Sequence, residues 1–111
     1  MGRYLISFPD GSMDHITDDE LPAVAEDTHA VLRDAKAAGV WVHGGGLQSS
    51  VRVSVVAVDG TVSDAQIPLP VGGFCIVNVA SREDALYWAA RFASSCRCAQ
   101  EVRELMDDPE A

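Results

Sequence analysis

The residues of this 111-residue chain that could do chemistry are few: three histidines, three cysteines, and an aspartate downstream of a glycine cluster. His43 follows Trp41-Val42 and precedes Gly44-Gly45-Gly46. An imidazole titrates near neutral pH, so a histidine at the rim of a cleft can act as a general base. A half-exposed histidine at a strand end would read the same way. Strict alternation puts His43 and Trp41 on one side of their strand. His29 lies at the edge of an apolar helical stripe, one turn from Ala25 and from Leu32. It is a second candidate base, or a partly buried histidine bonded to backbone or water. Asp64 could orient such an imidazole and stabilise its protonated form, or simply serve a turn. His15 precedes a helix cap and reads as loop surface.

The other reactive groups point to less. Cys96-Arg97-Cys98 has one residue between its thiols, whereas structural zinc favours two or more between paired cysteines. Cys75 sits in an apolar strand and reads as core. The triple glycine is followed by a strand rather than by a helix start, and no Gly-Lys-Ser/Thr appears, so it is not a phosphate loop. Glycines that permit a bend or a close chain approach explain it. No cofactor and no metal is required by the sequence.

The elements that must position these residues are legible from periodicity. Residues 3–8 alternate as a strand, closed by the turn Phe8-Pro9-Asp10-Gly11. Thr17-Asp18-Asp19-Glu20 has the spacing of a capping box, in which the Thr17 hydroxyl accepts from the Glu20 amide and the Glu20 carboxylate reaches back. Regular helix begins at Leu21 or Pro22, carries Leu21, Val24, Ala25, Thr28, Val31, Leu32, Ala35 and Ala38 as one stripe, and stops at Gly39. Val40 to His43 is a short strand. Val51 to Val58 is another, returning through a two-residue Asp59-Gly60 turn to Thr61 and Val62. Residues 63–71, with Pro68 and Pro70, form a loop. Gly73 to Val79 is a strongly apolar strand. Ser81 caps a second helix whose buried side is Ala85, Leu86, Trp88, Ala89, Phe92 and Ala93. Glu101 to Met106 forms a last strand, and residues 107–111 a frayed tail.

Helices set between strands of a mostly antiparallel sheet make an α+β, ferredoxin-like split βαβ fold with an added β-hairpin, in a single domain spanning residues 1–111. Two helices shelter one face of the sheet. The other face keeps valines and aromatics, and a second copy is its simplest cover, giving a symmetric homodimer with a barrel-like interior.

Composition excludes several partners. The net charge is −9, from 17 acidic and 8 basic residues, with no basic cluster, which repels nucleic acid and anionic membranes. The amino terminus has too short an apolar run for a signal peptide, and no stretch is long enough to cross a bilayer. The three cysteines fit no disulfide framework, so a cytoplasmic protein is expected.

Several segments together resemble the YCII-related family, in its DGPF-domain branch. They are Arg3-Tyr4-Leu5-Ile6, Ala38 through Gly44, Gly46-Leu47-Gln48, Val58-Asp59-Gly60 and Gly72-Gly73-Phe74. Ser81 to Arg91 and Glu101-Val102-Arg103 complete the likeness, which runs in order along nearly the whole chain. The resemblance implies a dimeric α+β barrel and a cleft with a His/Asp pair, and one relative is credited with eliminating chloride from a chlorinated hydroxyquinone. The DGPF stretch falls near Ser63 to Ile67, where only Asp64 matches, and the loop from there to Gly72-Gly73-Phe74 is shorter than the family's. The first-helix histidine of other members falls at or beside Thr28, one residue from His29.

Two functions are therefore open. One is an enzyme that binds a small organic molecule and runs proton-transfer chemistry, an elimination or isomerisation, with His43 or His29 as base and Asp64 as orienting acid. The other is a non-catalytic ligand-binding or protein-interaction module that keeps the scaffold without the site. An imidazole and a carboxylate in hydrogen-bond reach within one pocket would mark the first. An apolar pocket without that pair would mark the second.

Overall fold

The computed structural model describes residues 1–48, 53–65 and 71–111. The described elements run β1 (Gly2–Phe8), α1 (Leu21–Ala37), β2 (Trp41–Gly46), β3 (Ser54–Val56), β4 (Val62–Asp64), β5 (Gly73–Val79), α2 (Arg82–Cys96) and β6 (Glu101–Glu104). Four strands pair in the order β2-β5-β1-β6, and β3 with β4 make a separate two-stranded sheet. Every pairing is antiparallel, and β1 lies between β5 and β6. This is the α+β, ferredoxin-like arrangement, with the β3–β4 hairpin inserted between β2 and β5.

The pleat sorts the central sheet into two faces. Tyr4 and Ile6 of β1 stand opposite Val77 and Cys75 of β5, and these residues with Val79 are buried under Val31 and Ala35 of α1 and Ala85, Trp88, Ala89 and Phe92 of α2. Both helices thus share one face. The second face carries Leu5, Ser7, Phe74, Ile76 and Asn78. All but the buried Ser7 are half-buried.

Local signals explain the helix ends. Ser81 accepts from the Asp84 amide at 3.2 Å and caps α2. Gly39, at φ +75°, ends α1 by letting the Val40 amide return to the Ala35 carbonyl at 3.1 Å. At the start of α1 the Glu20 carboxylate does reach back to the Thr17 amide, at 3.1 Å. The Thr17 hydroxyl, however, donates to that same carboxylate at 2.8 Å, and the Glu20 amide bonds the Thr17 carbonyl instead. These bonds hold the Glu20 carboxyl below the usual carboxylate range. The motif closes a turn ahead of the helix, because α1 begins only at Leu21 with Pro22 in its first turn.

Three further expectations are corrected. The glycine cluster is strand: β2 runs through Gly46, where Gly44, Gly45 and Gly46 pair with Cys75, Phe74 and Gly73. The hairpin turn is not the two-residue type. The Gly60 amide bonds the Ala57 carbonyl at 2.9 Å, the Ala57 amide bonds the Thr61 carbonyl at 2.8 Å, and Gly60 alone has positive φ. That is a three-residue loop with a glycine bulge. The return strand consequently reaches Asp64, beyond the expected Val62. Of the strand expected over residues 51–58, Val51 and Arg52 lie outside the described residues, as do Gln66 to Pro70 of the expected loop. Among the described residues no helix is long and apolar enough to cross a membrane.

Candidate functional site

A pocket of about 390 Å³ opens between α1 and the helix-covered face of the sheet. Each wall follows from a local pattern. The α1 stripe supplies Leu21, Val24, Ala25, Thr28, His29 and Leu32 on one side. Ile6 and Phe8 of β1, Trp41 of β2 and Cys75 of β5 supply the floor, and Phe92 and Cys96 of α2 the back. Met13 and Gln100 reach it from connecting segments. The Trp41 and Phe92 rings meet with centroids 6.2 Å apart. Such a volume, mainly apolar with a handful of polar groups, is the usual form of a small-molecule site.

The polar groups converge on one stretch of α1. The Thr28 hydroxyl lies 3.6 Å from Cys96 Sγ, a contact in which either atom can donate, and so fixes α1 against α2 at the pocket wall. His29 follows directly and also lines the pocket. Burial pushes the Cys75 thiol up to about 12, with Cys96 nearby adding to the shift. Cys75 is therefore an uncharged wall atom at neutral pH. Burial also raises the Cys98 thiol. All three cysteines are free.

The three sequence candidates lie in different parts of the fold. His29 lines the pocket. His43 is exposed on β2, opposite Ile76 of β5. Asp64 is on β4 of the separate hairpin, opposite Ser54. The expectation that His43 and Trp41 share a side is overturned by a β-bulge between them: Trp41 pairs with Val77, His43 with Ile76. Val77 is core beneath the helices and Ile76 belongs to the second face, so the extra residue turns the imidazole away from the indole. None of the described pocket-lining residues is a carboxylate.

Several lining residues carried no chemical signal in the sequence. Leu21, Val24, Thr28 and Phe92 read as helix core, while Met13 and Gln100 had no pattern at all. Gly45 and Gly46 also line the pocket, where the sequence suggested bends or close packing.

Outside the pocket, α2 and α1 are tied by ion pairs. Arg91 meets Asp34 at 2.5 Å and Arg97 meets Asp27 at 2.8 Å. The Asp34 contact raises the Arg91 guanidinium further, and Arg91 also lies over the Trp88 ring at 5.2 Å.

No protein-family model matches the chain, and no curated protein is similar to it in sequence. Among solved structures it is similar to 5-chloro-2-hydroxyhydroquinone dehydrochlorinase from Burkholderia phenoliruptrix AC1100, in complex with 2,5-dihydroxybenzoquinone. The TM-score is 0.57 at 15% identity, covering 97% of each chain. The likeness establishes a shared fold along nearly the whole of both chains.

Proposed function

We propose that this protein binds a small, largely apolar organic molecule in the pocket between α1 and the sheet. The observation that carries this reading is the pocket itself: about 390 Å³, walled by Phe8, Trp41, Phe92 and the aliphatic stripe of α1, with Thr28, His29 and Gln100 as its few polar side chains. Apolar walls bind by area, and the polar groups orient the ligand. The reading includes membership of the YCII-related family in its DGPF branch, a cytoplasmic location in keeping with three free cysteines, and a homodimer formed through the second face of the sheet.

Ligand binding without turnover is the leading form. His29 stands in the pocket without a carboxylate among its described lining residues, so the pair that would mark proton-transfer catalysis is not assembled there. The second form, an elimination or isomerisation with His29 as base, draws support from the shared fold with a dehydrochlorinase. His43 and Asp64 then serve outside this pocket, His43 on the face proposed for pairing.

Titration with a panel of small phenols and quinones, followed by isothermal titration calorimetry, tests the binding. An Ala25→Trp variant, which fills the pocket from α1, should abolish the signal. Saturable binding that survives this substitution would place the ligand elsewhere. The catalytic form is tested by chloride release from 5-chloro-2-hydroxyhydroquinone: release that disappears in His29→Ala supports it, and no release from the wild-type protein removes it.

A further inference from the structure

We propose that Gly46 sets the width of ligand that the pocket accepts, by leaving one place in the side-chain layer over the sheet for the ligand to fill. The inference rests on the binding pocket proposed above.

The glycines of this region differ in what holds them. A β-carbon at Gly44 would stand 2.4 Å from the Phe74 carbonyl oxygen, and one at Gly72 would stand 2.8 Å from Asp10 Cα. Close approach of backbone therefore requires glycine at both. At Gly73 the β-carbon would stand 2.5 Å from Phe8 Cζ. Gly46 has neither reason. Its φ is not positive, and a β-carbon there would meet nothing within 4 Å among the described residues.

Pairing shows where that empty direction points. Phe8, Gly73 and Gly46 lie side by side across β1, β5 and β2. The Phe8 ring lies over Gly73, which puts this row on the helix-covered face where the pocket opens. Among the described residues the layer of side chains thus continues from Phe8 over Gly73 and stops at Gly46, which lines the pocket. A flat apolar group laid there would sit beside the Phe8 ring. Glycine weakens a strand by roughly 0.5–1 kcal/mol relative to alanine. Gly45 is equally open but pairs with Phe74 of the second face, whereas the open place at Gly46 lies in the row of Phe8 and Gly73 and has room for a ligand group about one ring wide.

The test compares two probes of different width on the whole protein. 8-Anilinonaphthalene-1-sulfonate is read by its own fluorescence and phenol by isothermal titration calorimetry, on the wild type, Gly46→Ala, Gly46→Val and the pocket-filling Ala25→Trp. Gly46→Val should weaken the naphthalene probe about tenfold or more while changing phenol by no more than about threefold, as expected for a steric clash that a smaller ring avoids. Gly46→Ala, which adds one carbon into open space, should fall between and keep its melting temperature, so that misfolding cannot imitate the result. If Gly46→Val leaves the naphthalene probe unchanged while Ala25→Trp abolishes it, the pocket stands and the role of Gly46 is wrong. If both probes weaken equally in Gly46→Val, width is not what this residue sets. If Ala25→Trp changes neither probe, the pocket reading itself fails and takes this inference with it.

Discussion

The Phe8 ring occupies the space that a side chain at position 73 would need: a β-carbon on Gly73 would stand 2.5 Å from Phe8 Cζ. The two residues pair directly across β1 and β5. This contact ends the side-chain layer beside the pocket, and it makes the glycines of the region unequal in energy.

Gly73→Ala should destabilise the protein by about 1–3 kcal/mol, the usual cost of overpacking, as the ring is pushed aside. Gly44→Ala should cost more, because its β-carbon meets the Phe74 carbonyl oxygen and the Cys75 backbone rather than the end of a side chain. Gly45→Ala should be neutral or stabilising by up to about 1 kcal/mol, since nothing described lies within 4 Å of its β-carbon. Urea unfolding midpoints measure all three. An order other than 44, 73, 45 would show that close approach is not what selects glycine here.

Arg97 offers a balance of opposing effects. It ends α2 at φ 60°, a conformation that costs a side-chain-bearing residue roughly 1–2 kcal/mol. Against this, its guanidinium donates to the Ser95 carbonyl at 2.6 Å and to Asp27 of α1 at 2.8 Å. The Asp27 pair is well exposed, and such pairs are worth about 0.2–1 kcal/mol. The two sides nearly cancel. Arg97→Gly should therefore lie within about 1 kcal/mol of the wild type, while Arg97→Ala, which keeps the strain and loses the bonds, should be the least stable of the three. Thermal unfolding of the set decides it, and an alanine variant as stable as the glycine variant would refute the strain.

The Cys75 thiol, held at about 12 by burial, makes a pH prediction whose sign follows from linkage. Its folded value lies above the 9.0 of a free thiol, so the folded protein keeps its proton where the unfolded chain has lost it. The resulting stability is complete below pH 9 and is lost as pH rises from there toward 12. The loss approaches about 1.4 kcal/mol per pH unit from this group alone. Between pH 8 and 10.5 the wild type should weaken more steeply than Cys75→Ala, measured by urea unfolding at each pH. Parallel slopes would mean that the buried thiol does not contribute.

How far the sequence could be read depended on the range of the interaction that decides each feature. α1, α2, β1 and β5 were legible because local periodicity and local caps determine them: the Leu21-to-Ala35 stripe, the Ser81 cap and the Gly39 stop. The β2 bulge was not, because it exists only in the pairing of Trp41 and His43 with neighbouring residues of β5. Alternation assumed there turned His43 to the wrong face. Asp59-Gly60 declares a hairpin, but not whether Gly60 alone or Asp59 with it takes positive φ, and the turn type hinges on that. His29 lies at the stripe edge, and it is there that it lines the pocket. Phe8 and Gln100 come from distant segments, and no spacing rule links them to α1.

The proposed homodimer makes the last prediction. Leu5 and Ile76 face away from both helices and are only half-buried, and Val42 on β2 is 40% exposed. Neighbouring apolar groups on one sheet face gain by being covered, at about 25 cal/mol per Å² removed from water. A matching face on a second copy would cover them by symmetry. Sedimentation equilibrium at micromolar concentration should accordingly report twice the 11.8 kDa chain mass. Ile76→Arg should return the mass to that of one chain without loss of the far-ultraviolet circular dichroism of the fold. Pairing through an exposed edge of β2 or β6 would instead survive Ile76→Arg, since edge contacts use backbone groups and leave the centre of the face untouched. A wild-type protein that sediments as a single chain would remove the dimer outright, while the pocket beneath α1, built within one chain, would remain.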